Sequence, residues 1–192
     1  MTPPARPTPG AGMTVADAQR DVRETYRNGA PGQAVSGLLW LASAACATWG
    51  SPRLGILVLC VGGAFIFPLL TLVLKAMGRR ATLPAGHPMN ALAMQVAFTV
   101  PLAIPVILAA TGFRAHWFYP AFMVIVGAHY LPFVFLYGMR EFAVLAAVLV
   151  AGGVGLALHG PASFVPGGWA TGIVLLLFAA RVARRREPRA PA

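Results

Sequence analysis

Residues 118–138 read FYPAFMVIVGAHYLPFVFLYG, a stretch of 21 positions without Lys, Arg, Asp or Glu. A helix of about 20 predominantly apolar residues is long enough to cross the hydrocarbon core of a bilayer. An amphipathic helix on the surface of a soluble protein carries a charged or polar face, which this stretch lacks. It therefore predicts a transmembrane helix.

The charged residues of the whole chain are scarce and grouped. Charged side chains make up 10% of the 192 residues, against about 25% in an average soluble protein. Between Asn28 and Ala180 only seven are charged: Arg53, Lys75, Arg79, Arg80, Arg114, Arg140 and Glu141. The net charge of +10 does not indicate a nucleic-acid partner, because the positive residues flank apolar runs instead of lining one soluble face.

Apolar runs recur along the chain and are separated by glycine- and proline-rich spacers. Each is near the length of a membrane-spanning helix, although the first is a little short. The runs cover residues 34–49, 54–76, 91–112, 118–138, 141–158 and 164–181. We therefore predict an all-α, polytopic transmembrane bundle of about six spans.

The positions of Lys and Arg predict the orientation of that bundle. With six spans, thirteen of these residues fall in the terminal segments and in the second and fourth loops, whereas only Arg53 and Arg114 fall on the other side. Cytoplasmic loops carry the excess of positive charge. We expect a bacterial inner-membrane protein with both termini in the cytoplasm.

The segments outside the apolar runs complete the predicted domain organisation. Residues 1–12 are rich in Pro, Gly and Ala and are expected to be disordered. Residues 13–32 form a cytoplasmic amphipathic helix and linker, in which Thr14 and Asp17 are spaced as in a capping box. Residues 33–181 form the transmembrane domain, and residues 182–192 form a basic tail for which anionic lipid is the expected partner.

His129 is the ionisable side chain nearest the middle of a predicted span. At 100° per residue, Phe118, Phe122 and Phe133 lie on the same helical face, and Pro132 should kink the helix. An ionisable group at this depth indicates function by default. A buried histidine that only bonds a neighbouring helix, among aromatic packing residues, is the alternative.

Three carboxylic acids are candidate catalytic residues, and of these only Glu141 lies near a predicted span. Glu141, at the start of the fifth span, is either a general acid with a raised pKa or a first-turn residue paired with Arg140 or Lys75. Asp21 and Glu24 lie either in a lid that closes the cytoplasmic mouth or in a solvated helix with internal ion pairs.

Proline residues fall inside the second, third and fourth spans. Pro68, Pro101 and Pro105 leave backbone carbonyls without helical donors, which a membrane protein tolerates where the backbone faces protein or a wet cavity. A central cavity and ordinary membrane prolines both remain open. No metal-ligand spacing and no cofactor-binding motif is present, so we predict neither a metal nor a cofactor.

Several short motifs resemble a mostly uncharacterised family of small bacterial membrane proteins over residues 18–158. They are Arg20-Asp21 through Gly29, then Gly37, Trp40, Phe67-Pro68, and Gly127-x-His129-x-x-Pro132-Phe133 with Tyr137. In general character the chain is also similar to bacterial membrane-bound terpene cyclases of natural-product pathways.

The second resemblance implies an enzyme that takes an apolar, prenylated small molecule from the bilayer and cyclises it after protonation. It implies Glu141 or Asp21, with Glu24 beside it, as the acid, and His129 or Tyr130 as the group that tunes or receives the proton. The expected substrate-binding residues are Trp40, Phe67, Asn90, Phe118, Phe122, Phe133 and Tyr137. A small transporter or exporter subunit with His129 in its path, and a non-catalytic membrane partner, are the alternatives. The sequence does not indicate an oligomeric state.

Overall fold

A computed structural model describes residues 12–185, and all of its regular structure is helical. The predicted tail at 1–12, apart from Gly12, and the end of the basic tail from 186 onward lie outside the described residues. The helices are α1 Val15–Tyr26, α2 Ala30–Trp49, α3 Pro52–Ala64, α4 Ile66–Ala76, α5 Asn90–Phe113, α6 Phe118–Tyr137, α7 Glu141–His159 and α8 Pro166–Ala183. The all-α prediction is confirmed.

Helix α1 begins as its sequence predicts. The Thr14 hydroxyl accepts a hydrogen bond from the backbone N–H of Asp17 at 3.2 Å and donates one to the Asp17 carboxylate at 2.6 Å. This donated bond holds the pKa of Asp17 below its usual range. The capping role of Thr14 is therefore confirmed.

The join between α1 and α2 is shorter than the sequence predicts. Arg27, Asn28 and Gly29 have positive φ angles of 49°, 57° and 81°, and they turn the chain sharply. Helix α2 begins at Ala30, so Pro31 and Gly32 lie in its first turn and not in a linker. A proline is tolerated there, because the first backbone N–H groups of a helix have no helical acceptor.

The second apolar run forms two helices instead of one. Helices α3 and α4 meet at Phe65 with a bend of 57°. Pro68 has no N–H to donate to the carbonyl of Ala64, and its ring clashes with that carbonyl. Helix α3 ends at Ala64 for this reason, so the predicted effect of Pro68 is confirmed.

The four remaining runs form the helices expected of them, with ends within two residues of the predicted ones. Helix α5 continues through Pro101 and Pro105, and α6 continues through Pro132. Helices α5, α6 with its preceding turn, α7 and α8 are each long and apolar enough to cross a membrane. The bent pair α3–α4 makes a fifth candidate if it counts as one span. The chain is thus a multi-pass helical membrane protein.

Helix α2 is not among these candidates, because Gln33 and its serines lower its hydropathy. It packs instead against α8, α3 and α4 and buries Gln33, Ser36 and Ser43. Ser43 is fully buried, and its hydroxyl donates to the Gly55 carbonyl at 2.8 Å and lies 2.6 Å from the Tyr119 hydroxyl. Neighbouring helices therefore satisfy the Ser43 hydroxyl.

Two contacts show that α2 and α8 are antiparallel. Asn28, just before α2, donates to the carbonyl of Val182 near the end of α8 at 3.4 Å. Trp49 at the other end of α2 has its ring centroid 5.9 Å from that of Trp169 at the start of α8. We call the end of the bundle that carries α1 the α1 end, and the end with Trp49 and Trp169 the opposite end.

The crossing of α2 and α8 is made by glycines. A Cβ atom on Gly172 would lie 2.5 Å from Leu41 Cδ2 and 3.1 Å from the Gly37 carbonyl oxygen. A Cβ atom on Gly37 would lie 3.0 Å from Leu176 Cγ. Small residues at a membrane helix crossing allow the two backbones to approach closely.

Helix α1 packs across the end of α6. Gln19 and Arg23 each donate a side-chain hydrogen bond of 2.6 Å to a carbonyl of the last turn of α6, those of Phe135 and Tyr137 respectively. The last carbonyls of a helix have no N–H four residues further on from which to accept a hydrogen bond, and that of Phe135 otherwise accepts only the Gly138 N–H at 3.3 Å. The fully buried Val22 adds an apolar contact between the same elements. Helix α1 is therefore attached to the bundle by specific contacts.

Candidate functional site

A group of polar side chains is buried where α2, α5 and α6 meet. Helix α2 contributes Gln33 and Ser36, which lie three residues apart and so on one face. Helix α6 contributes His129 and Tyr130. We call these four residues the polar cluster.

The members of the polar cluster are close to one another. Tyr130 is 4% exposed, and its hydroxyl lies beside the side chains of Ser36 and Gln33. The rings of His129 and Tyr130 have centroids 5.4 Å apart, and His129 also lies near the backbone of Val96 on α5. Three helices thus converge on one polar site.

Two buried atoms of the polar cluster lack a hydrogen-bond partner within the described residues. They are Oε1 of Gln33, a residue only 3% exposed, and Nδ1 of His129. A buried polar atom without a partner is costly and is rare in folded proteins. Within the polar cluster, these two atoms are therefore the ones with hydrogen-bonding capacity left over.

Aromatic rings border the polar cluster toward the α1 end. Phe133 lies 5.0 Å from His129 and stacks on Tyr137, with centroids 5.6 Å apart and planes at 13°. Phe142 packs against Tyr130 and Tyr137. Phe178 packs against Phe142 as well. We call these aromatic residues, without His129, the α6–α7 aromatic cluster: Tyr130, Phe133, Tyr137, Phe142 and Phe178.

The predicted aromatic face of α6 is divided between two places. Phe118 and Phe122 pack with Tyr119 and Trp40 nearer the opposite end, and they make no ring contact with His129 in the described structure. We call Trp40, Phe118, Tyr119, Phe122 and Phe164 the Trp40 aromatic cluster. Of the three phenylalanines predicted beside His129, only Phe133 contacts it.

The remaining two predicted binding residues lie apart from both aromatic clusters. The Phe67 side chain is exposed on the surface of α4. Asn90 donates to the carbonyl of Pro84 at 2.9 Å and so stabilises the loop before α5. Neither residue contacts the polar cluster in this conformation.

The predicted acids also lie outside the polar cluster. Glu141 forms an ion pair with Arg185, not with the expected Arg140 or Lys75. Asp21 lies 3.6 Å from Nε2 of the buried His87, and Glu24 is exposed. The ion pair within α1 joins Arg20 to Asp17 at 3.4 Å. The internal ion pairs predicted for Asp21 and Glu24 do not form within this helix.

A line of tyrosines connects α1 with the polar cluster. Tyr137 lies near both Tyr26 and Tyr130. Tyr26, the last residue of α1, is half-buried near the backbone of Leu83. Burial raises the pKa of its hydroxyl. Phenol groups therefore extend from the loop 77–89 at the α1 end toward His129.

The sequence analysis identified His129 and Tyr130 but missed Gln33 and Ser36. Two polar residues three positions apart inside an otherwise apolar run were the available signal. The predicted first run begins at residue 34 and so excludes Gln33, whereas α2 begins at Ala30 and contains both residues.

These features define a multi-pass membrane bundle with a buried polar site. The chain belongs to DUF7010, a family of unknown function, whose match covers residues 15–185. No curated protein matches the sequence. No solved structure matches the fold.

Proposed function

We propose that the chain crosses the bacterial inner membrane six times, with both termini in the cytoplasm. Support comes from the grouping of charges, since α1, Arg140 and Arg181 to Arg185 lie at one end of the bundle and Arg53 and Arg114 at the other. Helix α2 supplies the additional span, the first in chain order, beside the five candidates α3–α4, α5, α6, α7 and α8. Its polar residues face neighbouring helices and not lipid, so its modest hydropathy is compatible with a membrane position.

A single cysteine at position 53 tests whether α2 crosses. In a background where Cys46 and Cys60 are alanine, Arg53→Cys should react with a membrane-impermeant maleimide added to intact spheroplasts. The matched variant Val15→Cys, on α1, should react only after the membrane is opened. Equal protection of both positions would contradict the crossing of α2 and leave at most five spans.

We propose further that the polar cluster binds the polar end of an apolar, prenylated small molecule and that the chain cyclises this molecule. The observation that carries the proposal is the pair of unpartnered atoms, Gln33 Oε1 and His129 Nδ1, in residues that adjoin Tyr130 and Phe133 of the α6–α7 aromatic cluster. A desolvated aromatic face stabilises a cation by about 2 kcal/mol or more. A site of this composition suits a reaction that passes through a carbocation.

Access to such a site would come from the bilayer past α5. Val96 and Ile107 are the buried side chains of this helix, and most of its surface is exposed. The interface between α5 and α6 is smaller than the interface between α6 and α7. A displacement of α5 would expose His129 directly to lipid.

The proposed reaction is an isomerisation. A proton adds to an alkene or epoxide of the substrate, the resulting carbocation closes one or more rings, and loss of a proton from carbon restores neutrality. Of the predicted acids, Asp21 is the one beside a buried imidazole, whereas Glu141 is bound to Arg185. We therefore propose that Asp21 takes up the proton from the cytoplasm. Tyr130 or His129 then transfers the proton within the bundle or receives the one that the carbocation loses.

Tyr130→Phe tests the proposal. Membranes that contain the protein should convert a linear prenylated substrate, from a panel of such compounds, into a product of identical mass and different chromatographic retention. Loss of the Tyr130 hydroxyl should reduce this conversion about a hundredfold, the lower range for a group that transfers a proton. Tyr119→Phe removes an equally buried hydroxyl from the Trp40 aromatic cluster and should retain activity. Absence of any isomer across the panel, with folded wild-type protein present, would refute the cyclase.

Transport is the second candidate, favoured by the same unpartnered Nδ1 of His129. It predicts a different result in the same preparations: proton-coupled uptake into vesicles that His129→Ala abolishes, with no change in the chemical structure of the substrate.

A further inference from the structure

Two adjoining grooves lie at the α1 end, where α7 begins and α8 ends. The larger has a volume of about 370 Å³ and is lined by Gly138, Arg140, Glu141, Val144 and Arg185. The smaller, of about 200 Å³, is lined by Glu141, Arg181, Val182, Arg184 and Arg185. Glu141 and Arg185 belong to both grooves, so their ion pair forms the boundary between them.

The grooves are strongly basic. Four guanidinium groups and one carboxylate line them, and that carboxylate is bound to Arg185. Arg140, Arg181 and Arg184 are exposed and have no carboxylate within 4.0 Å among residues 12–185. Among residues 12–185, three positive charges therefore lack a paired carboxylate: Arg140 in the larger groove, and Arg181 and Arg184 in the smaller one.

The position of Glu141 explains how this arrangement is fixed. The carboxylate is only 16% exposed, and its bond to Arg185 joins the first turn of α7 to the end of α8. Glu141 thereby holds Arg185 at the boundary between the grooves and keeps the two helix ends together. The start of α7 adds a positive helix dipole beside Arg140.

We propose that these adjoining grooves bind phosphate groups, with Arg140 as a ligand in the larger groove and Arg181 and Arg184 as ligands in the smaller one. The guanidinium group matches the geometry of phosphate oxygens, to which it donates two parallel hydrogen bonds. The larger groove is also within the size range of small-molecule sites. The phosphate belongs either to an anionic lipid headgroup or to a soluble phosphate compound. This site does not depend on the proposed cyclisation, because it lies outside the polar cluster.

The test uses the full-length protein and the double variant Arg140→Gln/Arg184→Gln. One arm measures, by native mass spectrometry, how much phosphatidylglycerol is retained relative to phosphatidylcholine. The other measures binding of inorganic diphosphate by calorimetry in neutral detergent. The matched control is Arg53→Gln/Arg114→Gln, which removes two exposed positive charges from the opposite end.

The affinity of the double variant should fall roughly tenfold or more for one of the two probes, given what a basic side chain contributes near an anionic surface. The control should bind both probes like wild type. Loss in the lipid arm alone assigns the site to a headgroup, and loss in the diphosphate arm assigns it to a soluble ligand. The proposal is overturned if the double variant, with unchanged circular dichroism, binds both probes like wild type, or if the control loses as much.

Discussion

Gly172→Leu should prevent the assembly of α2 with α8. The new side chain would begin 2.5 Å from Leu41 Cδ2 and 3.1 Å from the backbone oxygen of Gly37. The Leu41 side chain can rotate away, but the Gly37 backbone belongs to the interior of a helix and cannot move. Overpacking ordinarily costs about 1–3 kcal/mol, and we expect this variant to reach or exceed the upper end.

The measurement is the yield of monodisperse protein after detergent extraction, together with its apparent Tm. Gly155→Leu is the matched control, because a Cβ atom at this position of α7 has no neighbour within 4 Å. It should be obtained in wild-type amounts, and the small helix-propensity gain of leucine over glycine acts at both sites. Equal yields of the two variants would contradict the close packing of α2 on α8.

Trp40→Ala should have the largest effect among substitutions that only remove atoms. Trp40 is 2% exposed and lies between α2 and α6, with ring centroids 5.8 Å from Tyr119 and 5.3 Å from Phe122. Truncation leaves a void enclosed by protein, which lipid tails cannot fill. Replacing a buried tryptophan by alanine costs about 3–5 kcal/mol in well-packed cores.

Trp49→Ala provides the comparison, since Trp49 is 78% exposed and lies on the same helix. We expect its Tm to fall only slightly, while the Tm of Trp40→Ala should fall by several degrees or the protein should fail to fold. Similar Tm values for both variants would mean that the Trp40 aromatic cluster does not contribute to the core.

The sequence predicts most of the helices because lipid imposes a simple rule on them. Apolar runs predict α5 to α8 to within two residues, and Pro68 predicts a disturbed backbone in the second run, where α3 ends at Ala64. The start of α2 was wrong by several residues. Pro31 and Gly32 resemble a linker locally, and only the packing of the turn at Gly29 against Tyr137 and Phe142 shows that a helix begins beyond it.

The site was less predictable, because it depends on contacts between distant parts of the chain. His129 and Tyr130 are recognisable as polar residues in an apolar run. Their partners Gln33 and Ser36 come from a helix nearly a hundred positions earlier in the sequence. The pairing of Glu141 with Arg185 is likewise set by where α8 ends relative to α7, which no local pattern specifies.

The antiparallel contact of α2 with α8 also fixes when the protein can finish folding. Synthesis of the 116 residues that separate Trp49 from Pro166 takes a ribosome on the order of ten seconds. During that interval the glycine face of α2 is uncovered, and a nascent chain that stops before Gly172 can never cover it. Premature termination late in the message should therefore yield substrates for membrane quality control instead of a shortened protein.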